Sequence, residues 1–578
     1  MKRIIEMNYS AVVRIVSLNS PFFAALLTTV IALSLLGYLA LLDQREPWFA
    51  ASVIYFILAA IALTLMSGGR TLGASSGLSW QRVGRVALFA TLLTALIWSS
   101  VGIEFRVLAD ETNLLATSRT LFTDLALKNV TETLHYYDSE SVIHADTAHR
   151  PGLFATVTAL LHFISGFHWL NAFITNLLVS IVTLSAVVLF FQRTLSLRFG
   201  VVAALLLASF PIYQLNITSA GYDALNMLMV MLFYMQLWRF MHRPSGGEME
   251  LLLLLALLAS YARYESAAVV LVALVAILLH WRQLLQWRYS LLLPLIPLLY
   301  LPVVWQKIVS SNFANAGDDP TQAFNLGGIG ENWLNMWRYF SDWSGAGLPT
   351  HLWIVALALI GGVIFLGWGW RQRSQRRGLL AFGLLLLAQS LISIAHFAYY
   401  FGDYQLAWIN RLAQIQLLWL VPLATTPLIW LSRSWQGWRQ GWLVLGLLFI
   451  YLTGNVVARE NKVGKSLTLF REYKQVRHYL QQHYPLQGTV VINERSGLYT
   501  ALGYSAIKPH TLMQRQAILV SNLERGLFQQ LLFVSKFDND KRRLQDKIAP
   551  RFEAELLKRL QFDGSRSVDI YRLTVKTK

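Results

Sequence analysis

The sequence predicts a polytopic all-α membrane protein of about thirteen transmembrane helices, with a C-terminal soluble α/β domain on its exported face. Three observations predict it. Of 578 residues, 55% are hydrophobic and only 14% charged, against about 25% charged in an ordinary soluble domain. Apolar runs of about 16 to 23 residues recur between residues 21 and 457, each near the ~20 that a helix needs to cross the bilayer. From residue 458 onward the composition turns polar, and helical and strand periods alternate.

Taken in chain order, Lys2, Arg3 and Arg14 precede the apolar run 21–42. That run is too long for a signal peptide and no small-x-small site follows, so it reads as an uncleaved first span. Further spans are expected at 48–66, 86–103, 169–191, 199–216, 224–240, 251–261, 267–281, 290–305, 352–370, 378–400, 412–431 and 442–457. The apolar stretch 154–165 is too short to span and reads as an interfacial or re-entrant segment. The run 251–281 reads as two short helices, because one continuous helix would bury Arg263 and Glu265 at the bilayer centre, at about 2.5 to 3.5 kcal/mol each.

With these choices Arg70, Arg82, Arg85, Arg193, Arg198, Arg239, Arg243, Arg282, Arg288, the cluster 371–377, Arg433 and Arg439 all face the cytoplasm. The chain thus divides into a transmembrane module, 1–457, with exported loops 104–152 and 306–351, and an exported α/β domain, 458–578. Within that domain, helices are expected at 467–484 and 512–524, and strands at 488–492, 531–534 and 568–575. The N-terminus is expected in the cytoplasm and the C-terminus outside, in a bacterial inner membrane.

A net charge of +18 is explained by retention of basic loops and affinity for anionic lipid, so the bilayer and not nucleic acid is the expected partner. Zero cysteines exclude disulfides, thiolate metal sites and a cysteine nucleophile. No P-loop, dinucleotide fingerprint or Ser-His-Asp arrangement stands on a strand-to-helix turn, so ATP and NAD chemistry have no support.

The first exported loop carries the chemistry. It opens Phe105-Arg106-Val107-Leu108-Ala109-Asp110-Glu111-Thr112, with two carboxylates just beyond a span. It closes His144-Ala145-Asp146-Thr147-Ala148-His149-Arg150-Pro151-Gly152. Carboxylates at a membrane surface deprotonate an acceptor or hold a metal ion, and Arg or His neutralises a phosphate leaving group. His144 and His149 with Asp146 form only a loose metal-like grouping; the loop carboxylates suit metal-assisted and metal-free activation alike, so a divalent metal stays open as a cofactor and no other is assigned. Arg263, with Tyr264 and Glu265, marks the tip of the short helical pair, and Arg411 opens a late span, so both are candidate functional cations. Asp223 opens a helix on the same face, as a helix start or a substrate contact.

An acidic pair after an early span, a Pro-containing close to the first exported loop, a basic residue at a helical hairpin tip and an Arg opening a Leu/Pro-containing span together resemble the GT-C superfamily. The protein O-mannosyltransferase and aminoarabinose transferase type is nearest. The resemblance covers roughly residues 86 to 457. It implies a membrane glycosyltransferase taking a sugar from a polyprenyl-phosphate donor to a glycan, lipid or protein acceptor on the exported side. It also implies Asp110 or Glu111 as the acceptor-activating carboxylate, with His149, Arg150, Arg263 and Arg411 as donor-phosphate contacts. The chain departs from the family pattern where the loop closes His149-Arg150-Pro151-Gly152 and where Arg411 is followed by Leu412. Two other readings compete: a lipid-linked oligosaccharide polymerase or ligase centred on Arg338, and a transporter, against which the scarcity of mid-span charge weighs.

Overall fold

A computed structural model describes residues 20–41, 47–73, 79–136, 139–284, 286–311, 325–341, 350–371, 376–399, 404, 407–432, 438–463, 468–536, 548, 550–562 and 567–576. The N-terminal Lys2, Arg3 and Arg14, residues 372–375 of the cluster 371–377, Arg433, and residues 312–324 and 342–349 of the loop 306–351 lie outside them. Two compact units are present. One comprises Met1–Arg106, His149–Thr156 and Phe173–Lys462; the other comprises Val107–Ala148, Val157–Ala172 and Val463–Lys578. The second unit therefore takes in residues 107–148 and 157–172 beside the stretch that the sequence sets apart after 457.

The first unit is helical because its runs of Leu, Ile, Val and Ala carry few charges and a lipid-embedded backbone must satisfy its hydrogen bonds internally. Among the described residues, six helices are long and apolar enough to cross a membrane: Ala51–Thr71, Trp80–Val101, Asn171–Thr194, Asp223–His242, Arg377–Ala398 and Arg411–Leu431. A bent pair, Leu197–Ser209 and Pro211–Ile217, passes the same test at a 77° break. The break falls where Phe210 takes an extended conformation (φ −70°, ψ 124°) ahead of Pro211, because proline excludes its predecessor from the helical region. The chain is a multi-pass membrane protein, and helices also underlie the other expected runs, among them Ser20–Leu41, Thr350–Arg371 and Trp438–Val463.

Residues 251–281 form two helices, as the charge pattern requires. Gly246–Ala262 ends at Arg263, which is extended (φ −152°, ψ 143°), and a 3-10 turn Tyr264–Ala267 leads into Ala268–Leu278. The expected single span 290–305 is broken into Leu295–Leu299 and Leu301–Ser311, since Pro294, Pro297 and Pro302 withhold the amides that a continuous helix uses. The helices Thr350–Arg371 and Leu417–Ser432 touch closely: a Cβ on Gly361 would lie 1.8 Å from the Leu423 carbonyl oxygen. Pro427 stands one turn beyond Leu423 and has no N–H to offer that carbonyl.

The second unit is built on one seven-stranded sheet. Its strands are β1 Lys128–Tyr136, β2 Ser139–Thr147, β3 Thr489–Ile492, β4 Ser505–Ile507, β5 Gln530–Lys536, β6 Phe552–Gln561 and β7 Ser567–Val575, in spatial order β2-β1-β4-β3-β5-β7-β6. β3 runs parallel to β4 and β5, and the remaining pairs are antiparallel. The α/β character expected of the C-terminal stretch is present, with helices Thr468–His483 and Pro509–Glu524 near the expected positions. Leu134 of β1 shares a core with Val490, Ile507, Leu512, Phe528 and Leu531. The hairpin β1–β2, drawn from the first loop, thereby completes the sheet.

Candidate active site

Three helix boundaries of the first unit bring together a compact ionic cluster. Arg263 leaves the helical path at the end of Gly246–Ala262, and its side chain is only 2% exposed. Asp223 stands in the first turn of Asp223–His242, where a carboxylate is favoured by the helix dipole. Arg411 opens a 3-10 turn, Arg411–Gln416, that precedes the helix Leu417–Ser432.

Arg263 donates from Nη1 to Asp223 Oδ1. From Nε and Nη2 it donates to the two oxygens of Glu265 at 3.2 and 3.3 Å, the two-pronged geometry that a planar guanidinium favours. Arg411 Nη1 lies 3.6 Å from the other Asp223 oxygen, Oδ2. Two buried guanidinium groups would repel each other without an anion; the bridging carboxylate allows their approach. Tyr222 adds its ring face, 4.8 Å from the Arg263 guanidinium carbon and 5.6 Å from that of Arg411, within cation–π range. Asp223, Arg263, Arg411, His396, Asn226 and Gln414 line one small pocket.

Amides fix this arrangement. Asn176 Nδ2 donates to the carbonyls of Ser219 and Gly221 at 2.7 and 2.8 Å, holding the turn that leads into Tyr222 and Asp223. Arg106 donates to the side-chain oxygens of Asn216 and Asn410, and Asn216 Nδ2 donates to Gln414 Oε1. Ser266 donates to Asn226 Oδ1 at 2.6 Å. Sequence reasoning missed Arg106, Tyr222, His396 and these amides. The available signal was the position of Asn176, Asn216, Gln414 and His396 inside otherwise apolar runs.

Of the expected site residues, Asp223, Arg263, Glu265 and Arg411 are thus in one cluster. Tyr264 donates its hydroxyl to the His149 carbonyl at 3.0 Å, and Gln306 Nε2 donates to the Arg150 carbonyl, so the chain at 149–150 is tied to this unit through its backbone. Asp110, Glu111, His144 and Asp146 belong to the second unit. Asp110 and Glu111 are 7% and 2% exposed in the first turn of the helix Leu108–Thr123. Glu111 accepts at 2.9 Å from the backbone N–H of Val107, satisfying one of the amides that a helix start leaves open. His144 and Asp146 stand on edge strand β2, with His144 Nδ1 2.9 Å from Thr131 Oγ1 and 4.0 Å from Asp146 Oδ2. Among the described residues, no group of three or more His, Asp or Glu side chains is placed to hold a metal ion. Arg338 is exposed on the helix Ile329–Ser341 and bonds Asn335 of the same helix at 3.3 Å.

No family model and no curated protein matches the sequence. Solved structures do. ArnT from Cupriavidus metallidurans bound to undecaprenyl phosphate aligns with a TM-score of 0.51 and 15% identity, over 84% of this chain and 98% of that one. The apo form of the same protein gives 0.50 and 15%, over 85% and 98%. The Archaeoglobus fulgidus oligosaccharyltransferase in its apo form gives 0.41 and 11%, over 79% and 70%. The likeness to ArnT shows the fold: this chain shares the architecture of that membrane protein.

Proposed function

We propose that this chain is an integral-membrane glycosyltransferase that moves a sugar from a polyprenyl-phosphate donor to a hydroxyl or amine acceptor on the exported face of a bacterial inner membrane. The observation that carries this reading is the convergence of Arg263 and Arg411 on one carboxylate and one aromatic face. Paired guanidinium groups match the oxygens of a phosphate, and an Arg-lined pocket at the boundary of apolar helices suits an anionic headgroup on a hydrocarbon tail. The shared fold adds support, since ArnT is described as binding undecaprenyl phosphate.

In the reaction the acceptor attacks the anomeric carbon, the carbon–oxygen bond to phosphate breaks, and its electron pair stays on the phosphate oxygen. Arg263 and Arg411 stabilise the charge that grows there. The acceptor proton goes to Asp110, with Glu111 holding the start of the helix on which Asp110 stands. Arg150 and His149 are further donor-phosphate contacts, and His144, Asp146, Tyr264 and Glu265 shape or support the substrate surroundings. The exported orientation of loops 104–152 and 306–351, and of the sheet-bearing unit, rests on the distribution of arginines among the loops.

The test is a transfer assay with the purified full chain, synthetic polyprenyl-phosphate sugars and acceptors identified by comparing envelope glycans, lipids and proteins with and without the gene. Sugar transfer with release of polyprenyl phosphate is expected. It should be lost in a chain carrying Arg263→Ala and Arg411→Ala. Transfer that survives in that double variant overturns the assignment of these arginines.

A further inference from the structure

Resting on the phosphate-donor reading above, we infer that Asp223 is a charge selector: it admits the singly charged donor phosphodiester and expels the more highly charged phosphomonoester product. In the cluster Arg263 and Arg411 face Asp223 and Glu265. Glu265 grips Arg263 through two nitrogens at 3.2 and 3.3 Å, which leaves Asp223 as the carboxylate shared by both arginines. Its two oxygens occupy the bridging position that two oxygens of a phosphate take between paired guanidinium groups.

The two links of that bridge are unequal. Arg263 donates a hydrogen bond to Asp223 Oδ1, whereas Arg411 Nη1 is 3.6 Å from Oδ2, an ion pair beyond hydrogen-bond length. Asp223 and Glu265 together keep Arg263 oriented. Asp223 stays on the pocket wall because Arg263 donates a hydrogen bond to it.

The consequence follows from charge. A glycosyl polyprenyl phosphate is a diester with one negative charge, and transfer leaves a monoester carrying about 1.5 to 2 charges near neutral pH, given its second pKa near 6. Repulsion from a fixed carboxylate scales with the ligand's charge and is strong where water is scarce. Asp223 thus weakens product binding more than donor binding and drives release. Asp223 is a positioning and selecting residue; it takes no proton from the acceptor.

The experiment measures binding of two probes to the purified full chain in nanodiscs at pH 8: a long-chain polyprenyl monophosphate and its methyl phosphodiester. The unaltered chain is expected to bind the diester at least as tightly as the monoester. Asp223→Asn is expected to tighten monoester binding roughly tenfold relative to the diester, with turnover falling through product inhibition. Asp223→Glu, which retains the charge, keeps the original preference and controls for damage to the fold. Equal weakening of both probes in Asp223→Asn overturns charge selection and makes Asp223 a support for the arginines alone. If the unaltered chain binds neither probe, the phosphate-donor reading itself falls.

Discussion

The guanidinium groups of Arg263 and Arg411 lie over the ring of one residue, Tyr222, at 4.8 and 5.6 Å, although they come from different helices far apart in the chain. Like charges so placed are held by a shared environment, and their contributions should not be independent. Arg263→Lys and Arg411→Lys retain the charge but lose the planar fork. Each should weaken binding of a polyprenyl-phosphate donor by about ten- to a hundredfold, the equivalent of one charge-assisted hydrogen bond at ~1.5–3 kcal/mol. The double variant should lose less than the sum of the two. Calorimetric or fluorescence titration of all three variants provides the check; strict additivity would mean that the two arginines serve different ligands.

The first part of this cluster was legible before the fold was known, and the reason is local. A charged residue inside a long apolar run has to leave the membrane interior, and Arg263 and Glu265 do so by breaking 251–281 into two helices. Arg411 is marked in the same way. Tyr222 and Arg106 had no such signal, because their partners are set by tertiary packing of separate helices. In the second unit, β3, β5 and β7 showed as apolar runs, while β1 and β2 did not. Lys128–Tyr136 carries Asn129, Thr131, Glu132 and Thr133 among its apolar residues, and Ser139–Thr147 is an edge strand with no fully buried residue. Their pairing with a sheet more than three hundred residues downstream is a nonlocal outcome that periodicity cannot report.

The arrangement of the loops makes a topological prediction. In this cysteine-free sequence, single cysteines at Gln514, exposed on the helix Pro509–Glu524, and at Thr194, exposed at the end of Asn171–Thr194, report opposite faces. A membrane-impermeant thiol reagent applied to intact spheroplasts should label the first and spare the second. The reverse pattern would invert the whole orientation and place the proposed acceptor side in the cytoplasm.

Gly361 should be intolerant of substitution. An added Cβ would meet the Leu423 carbonyl at 1.8 Å and the Pro427 ring at 3.1 Å, backbone and ring atoms that cannot turn aside as a flexible side chain would. Gly361→Ala should therefore push the helices Thr350–Arg371 and Leu417–Ser432 apart and destabilise the chain by about 1 to 3 kcal/mol, the usual cost of overpacking. The melting temperature of the purified protein in one fixed detergent is the readout. Gly362→Ala, where a Cβ meets nothing within 4 Å, is the matched control and should change little.

The hairpin β1–β2 should loosen in acid. Glu140 receives Arg119 Nη2 at 2.8 Å and faces His135 Nε2 at 3.7 Å. Burial alone would push the Glu140 carboxyl up, but the neighbouring His135 and the charge of Arg119 outweigh it and hold the carboxyl below its ordinary value. A depressed folded-state value contributes stability that is fully present above the unfolded value, about 4.3, and is lost as pH falls through the folded one. Hydrogen exchange of the full chain, corrected for the intrinsic pH dependence, should show protection of residues 128–147 declining below about pH 4 in the unaltered protein. In Glu140→Gln that decline should be absent and protection lower throughout.

Asp110 is expected to matter more to turnover than Glu111. The two stand in consecutive positions of the first turn of Leu108–Thr123, and consecutive helical residues diverge by about 100°, so they cannot serve one small site equally. Glu111 already holds the Val107 N–H at 2.9 Å, a duty that a neutral glutamine oxygen performs nearly as well. Glu111→Gln should consequently keep most activity, while Glu111→Ala should lose roughly 1 kcal/mol of stability with the capping interaction. If Asp110 takes the acceptor proton, Asp110→Asn keeps the shape but removes the base, at a cost of about 10²- to 10⁴-fold in rate. Donor binding should scarcely change, since the phosphate is held by cations and not by carboxylates. Turnover and donor affinity measured side by side separate these roles. Collapse in Glu111→Gln with near-normal turnover in Asp110→Asn would exchange the two assignments, and normal turnover in both would move proton transfer out of this helix altogether.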